Sequence, residues 1–221
     1  MEKLNSTKPL KRICNIKSQK NEMEEVLFNI SEQQELIIRL REEVEALLPN
    51  SVVTSKNFVT GYNTFKRYYS SQFSQMQYNN NCSPTMIANV LSYYNTARKA
   101  EIYSGIITQD LYDQICCDIN YSSTKASNLY RMVKGLKKFC NRNEKTCIVN
   151  VYWHNSWHDI TKDINQNKII MLGFEVHAYL IVGYRIINGT RQVYTFTGWD
   201  HLPYEWVNYD SFMQMVSVDI Y

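Results

Sequence analysis

The sequence predicts an α+β fold of two lobes, a helical lobe followed by an antiparallel sheet. Three observations predict it. From Cys82 to about residue 141, apolar side chains recur at the spacing of helices packed on one face. After Cys140 the period drops to two, that of half-buried strands. Asn188-Gly189 then separates two strand-like runs, the strongest short hairpin signal a sequence offers. Helices followed by strands, instead of alternating with them, mark the α+β class.

Size and composition bound the alternatives. With 221 residues, 44% of them hydrophobic, the chain can bury one substantial core and carry a short extension. A formal charge of +3 is slight for this length, although Lys3, Lys8, Lys11, Arg12, Lys17 and Lys20 make the first residues basic. Nucleic acid is therefore not an expected partner. No segment has the apolar length of a membrane span, and the N-terminus lacks the apolar core of a signal peptide, so the expected location is cytoplasmic, with release by another route left open. Six cysteines are too sparse for a disulfide-stapled scaffold. Cys116, Cys117, Cys140 and Cys147 fall inside or at the ends of periodic segments, where packing explains them.

Taken in order, residues 31–49 read as a helix opened by a capping box, Ser31 to Gln34, and stopped at Pro49, with Leu36, Leu40, Val44 and Leu47 as its apolar stripe. Residues 1–50 are accordingly an extension, either packed on the main domain or covering a cleft like a peptidase pro-segment. Residues 51–221 form the main domain, and its first part, to residue 74, looks like a connecting stretch. In NNNCSPTMIANVLSYYN, Pro84 suits a first helical turn, and Met86, Ile87, Val90, Leu91 and Tyr94 keep helical spacing. Two further helices are predicted, over 108–119 (Leu111, Ile115, Ile119) and 124–141 (Leu129, Met132, Val133, Leu136, Phe139). A strand follows with Cys147, Val149, Val151 and Trp153 on one face, then a short helix over 157–166. KIIMLGF, HAYLIVGYRII, TRQVYTFTGW and FMQMVSVDIY complete the set as strands.

The chemistry is predicted at two residues. A thiol attacks as its thiolate, and a helix N-terminus stabilises that anion through unpaired N–H groups and the helix dipole. Cys82 has this placement. Its base should be a histidine far along the chain and near in space, and His177 opens a strand of the second lobe. Either residue alone is better explained as an inert buried cysteine or a strand-end histidine.

Together, NNNCSPTMIANVLSYY, HAYLIVGYR and VYTFTGWD resemble the papain-like cysteine peptidase superfamily, closest to its bacterial streptopain-like and double-glycine leader-processing members. The resemblance covers roughly residues 75–221. It implies Cys82 as nucleophile, His177 as base, an Asn or Asp that orients the histidine, and a glutamine that helps bind the oxyanion. Two positions depart from that pattern. Met76 stands where the glutamine is expected, six residues before the nucleophile, so Gln77 takes the oxyanion role beside the Cys82 N–H. Thr197 stands two residues before Trp199, where the family has its Asn or Asp. Asp200 is assigned instead from register: if Asn188-Gly189 pairs Ile187 with Thr190, an uninterrupted ladder brings His177 opposite Asp200 and Thr197 opposite Leu180.

A zinc site from His154, His158, Cys140 and Cys147 has poor spacing, and Trp153 and Trp157 make packing the simpler account. His201 reads as a loop residue. Asn188-Gly189-Thr190 matches a glycosylation acceptor that its hairpin role already explains. The expected function is a cysteine peptidase acting on peptide or protein substrates, without metal or cofactor. An acyltransferase or transglutaminase using the same Cys-His pair, and an inactive binding module with the same fold, are the alternatives.

Overall fold

A computed structural model of the chain describes residues 53–73, 81–121, 128–152, 156–174, 177–199, 202–209 and 214–221. The expected helix at 31–49 and the whole of residues 1–50 lie outside the described residues, as do Gln77, His154, Asp200 and His201. Among the described residues, no helix is long and apolar enough to cross a membrane.

Helix α1, Cys82–Thr96, is the centre of the fold. Every residue from Cys82 to Tyr94 is buried, so it is packed on all sides and not only along the expected Met86, Ile87, Val90, Leu91, Tyr94 stripe. Helix α2, Gln109–Asp118, starts at a Thr108 cap whose hydroxyl accepts from the Leu111 N–H. It buries Tyr112, Ile115 and Cys116. Helix α3, Leu129–Arg142, begins behind an Asn128 cap and buries Met132, Leu136, Phe139 and Cys140. Its start is later than the expected residue 124, because Asn128 is extended and its side chain takes the Arg131 N–H. Helix α4, Trp157–Asn165, is capped by Ser156.

The strands form one sheet of seven, antiparallel at every pairing: β1 Val53–Phe58, β2 Cys147–Tyr152, β3 Ile169–Phe174, β4 His177–Ile187, β5 Thr190–Trp199, β6 Leu202–Asn208 and β7 Gln214–Ile220. The order is β2-β7-β3-β4-β5-β6, and β1 pairs with the second half of β4. Residues 53–58 are thus a strand and not part of a connection. Their sequence, VTSKNF, has a polar middle and both ends exposed or half-exposed, so no alternation reveals it. β2 alternates as expected at Cys147 to Asn150, whereas Val151 is 48% exposed and lines an open cavity with Leu129, Val133 and Val216.

The β4–β5 hairpin departs from the uninterrupted register. Ile187 pairs with Thr190 and Gly183 with Tyr194, as the Asn-Gly turn requires, but Ile181 pairs with Thr195 and Leu180 with Phe196. Val182 is the extra residue, a β-bulge that moves the rest of the ladder by one. Leu180 therefore faces Phe196 and not Thr197, and the register that put His177 opposite Asp200 does not hold. The bulge adjoins the end of the β1–β4 ladder, where Phe58 pairs with Gly183 and its ring fills the space of the missing side chain: a Cβ there would lie 2.2 Å from the ring. The Val59 N–H donates to the Val182 carbonyl at 2.9 Å, continuing the contact between β1 and β4.

Candidate active site

Cys82 is the first residue of α1 and its exposure is 9%, whereas Met86, four residues on, is fully buried. No acidic residue stands in the first turn, so no carboxylate competes there for the helix's positive end. Asn81 precedes the helix but does not cap it. Its Nδ2 instead donates to the Ser70 carbonyl at 3.0 Å.

That bond is one of a row. Asn81, Thr85 and Asn89 are spaced four apart and share a face of α1, with Ser92 one turn further. Asn89 accepts from the Tyr68 N–H at 2.9 Å and donates to the Tyr68 carbonyl at 2.7 Å. The Ser92 hydroxyl donates to the Lys66 carbonyl at 2.5 Å. Residues 66–70 thus run along α1 as a strap, antiparallel to it. At the strap's end, the Ser70 N–H and hydroxyl both donate to the Gly198 carbonyl, at 2.9 and 3.2 Å.

His177 opens β4, half-buried between the Tyr179 ring at 4.6 Å and the Trp199 ring at 4.4 Å, centroid to centroid. Its Nε2 lies 2.7 Å from the Thr197 carbonyl oxygen. A carbonyl only accepts, so Nε2 carries the proton and, in the neutral ring, Nδ1 is left as an acceptor. Burial holds the imidazolium below its ordinary pKa of 6.5, and the Thr197 carbonyl opposes that shift more weakly.

The helix and the strand end meet at Gly198. A Cβ there would lie 2.5 Å from the Met86 methyl and 3.4 Å from the Thr85 methyl, so the Gly198 backbone rests on the α1 face one turn beyond Cys82. Its φ of +74° is the left-handed conformation that favours glycine. It breaks the β5–β6 ladder between Phe196 and Trp199. Gly198 thus lies between α1, through Thr85 and Met86, and the strap, through Ser70, and it directly follows the Thr197 carbonyl that meets His177.

Among the described residues, Asn81, Ser70 and Asn89 are the participants that sequence reasoning missed. The available signal was polar residues at Asn81, Thr85 and Asn89, four apart inside a helix otherwise read only for its apolar stripe. Two other cysteines are suited to packing: burial pushes the Cys116 thiol up to about 12, and the Cys140 thiol is raised by its hydrogen bond to Cys147, which lowers that of Cys147, and by burial. Among the described residues, no group of three or more His, Cys, Asp or Glu could hold a metal ion.

No family model and no curated protein matches the chain. Solved structures do. One is the peptidase domain of Streptococcus ComA, a bi-functional ABC transporter involved in a quorum-sensing pathway. It is 10% identical over 63% of this chain and 90% of that one, with a TM-score of 0.41. Another is UfSP from C. elegans, 10% identical over 80% of this chain and 35% of that longer one, with a TM-score of 0.48. At these scores neither similarity assigns a family or an activity. The α+β architecture stands on the helices and ladders described above.

Proposed function

We propose that the chain is a papain-like cysteine peptidase in which Cys82 is the nucleophile and His177 its base. What supports this reading is a cysteine at the N-terminus of α1, whose next turn packs on Gly198, and a histidine whose Nε2 meets the carbonyl of the preceding residue Thr197, which leaves Nδ1 as acceptor. In the proposed reaction Nδ1 takes the Cys82 proton, and Sγ attacks the peptide carbonyl carbon. The oxyanion accepts from the Cys82 main-chain N–H, one of the first-turn donors that the helix ladder does not use, and from the Gln77 amide. The imidazolium then gives its proton to the leaving amine. Water, deprotonated by the same ring, cleaves the thioester, releases the acid and restores the thiol.

A peptidyl acyloxymethyl ketone tests the pair directly. It should alkylate Cys82 at least tenfold faster than the exposed Cys117, which serves as an internal reference. Cys82→Ala should abolish labelling and peptide turnover while leaving the circular dichroism unchanged. Equal rates at the two thiols would reject a Cys-His pair and favour an inactive module. Rapid labelling with turnover only in the presence of an amine acceptor would make the chain an acyltransferase.

A further inference from the structure

We propose that the group orienting His177 is the main-chain carbonyl of Thr197, held in place by the α1 strap, and not a side-chain carboxylate or amide. The proposal rests on reading Cys82 and His177 as the reacting pair, and it concerns how the base is positioned.

The Thr197 carbonyl already takes the position an orienting side chain would fill, 2.7 Å from Nε2. Thr197 itself is buried, so water does not compete for that bond. Its hydroxyl is engaged elsewhere, accepting from the Trp199 N–H at 3.1 Å and closing the turn around Gly198. Side chain and main chain thus divide the work: the hydroxyl shapes the bulge, and the bulge presents the carbonyl. The next carbonyl, that of Gly198, is fixed by two bonds from Ser70, whose own carbonyl is held by Asn81, the residue beside the nucleophile. One chain of contacts, Asn81–Ser70–Gly198–Thr197, therefore sets the ring relative to the start of α1.

A neutral acceptor has a consequence that a carboxylate would not. It fixes the ring's orientation and tautomer but adds no net charge to stabilise the imidazolium. His177 should then titrate below its ordinary value, as burial alone dictates.

The test is nuclear magnetic resonance on the full chain with ¹⁵N-labelled histidine, assigned with His177→Gln. The expected neutral ring carries its proton on Nε2, and Asp200→Asn should leave that tautomer in place with the His177 pKa changed by less than about 0.3. A proton on Nδ1 in the native protein would overturn the proposal. So would a fall of about one or more in the His177 pKa on Asp200→Asn, the effect expected on removing a carboxylate partner. Gly198→Ala puts a side chain on a left-handed residue and should give a mixture of tautomers, while retention of a pure Nε2–H ring would count against the bulge. If Gly198→Ala does not fold, the tautomer and the Asp200→Asn titration still decide. None of these measurements needs substrate, so an inert Cys82 would defeat the peptidase reading and leave the source of ring orientation separately determined.

Discussion

His177 carries a thermodynamic signature of its position. Its folded-state pKa lies below the ordinary 6.5, so as pH falls the unfolded chain takes up this proton first. The contribution to stability is full above pH 6.5 and is lost as pH falls through the lower folded value. Melting temperatures of the wild type and His177→Gln, measured from pH 7.5 to 5, should therefore converge or cross, with the wild type losing more. Parallel curves would mean that His177 titrates alike in both states. At this scale the sequence reveals residues whose chemistry is distinctive. Cys82 and His177 stand out because a thiol at a helix start and an imidazole at a strand start are unusual placements. Ser70 and Asn81 do not, because an amide donor holding a main-chain carbonyl has no mark in the sequence until the carbonyl's position is known.

Elements were legible in proportion to their periodicity. The helices and the strands β3, β4, β5 and β7 repeat apolar residues at the right spacing. β1 has a polar middle, and β6 contains Pro203, which removes a ladder donor and suits the edge position that β6 occupies. The failure to read β1 has a direct sequel at the site. The bulge at Val182 adjoins the Phe58–Gly183 pair of the β1–β4 ladder, so a register built without β1 misses the one-residue shift on which the pairing of His177 with Asp200 depended. The polar stripe of α1 can be tested at this scale. Asn89 is fully buried and makes three hydrogen bonds, to the Tyr68 N–H, the Tyr68 carbonyl and the Thr85 carbonyl. Asn89→Ala leaves these groups without their partner and should cost about 2–4 kcal/mol, read as a lower urea midpoint at unchanged slope. A loss below about 0.5 kcal/mol would show that the strap does not depend on this amide.

Among the described residues, helical and sheet parts share one core, because α1 is buried from Cys82 to Tyr94 and its tyrosine hydroxyls bond main-chain carbonyls in and beside the sheet, as well as packing on it. The Tyr94 hydroxyl donates to the Val218 carbonyl of β7, and the Tyr93 hydroxyl donates to the Asn167 carbonyl at 3.1 Å, just before β3. Val218 is itself paired on both sides, with Val149 of β2 and Ile169 of β3. A helix tied at this point cannot leave without exposing the middle of the sheet, so α1 and β7 should open as one cooperative unit. Native-state hydrogen exchange would show it. Amides of Met86–Leu91 and of Met215–Val218 should exchange with a common opening free energy, and Tyr94→Phe, which removes the hydroxyl's tie to the Val218 carbonyl, should lower both by the same amount, about 0.5–1.5 kcal/mol. If Tyr94→Phe lowered protection in β7 alone, the helix and the sheet would be separate units. The start of α1 would then be held to the sheet by the strap and Gly198, without support from the core beneath it.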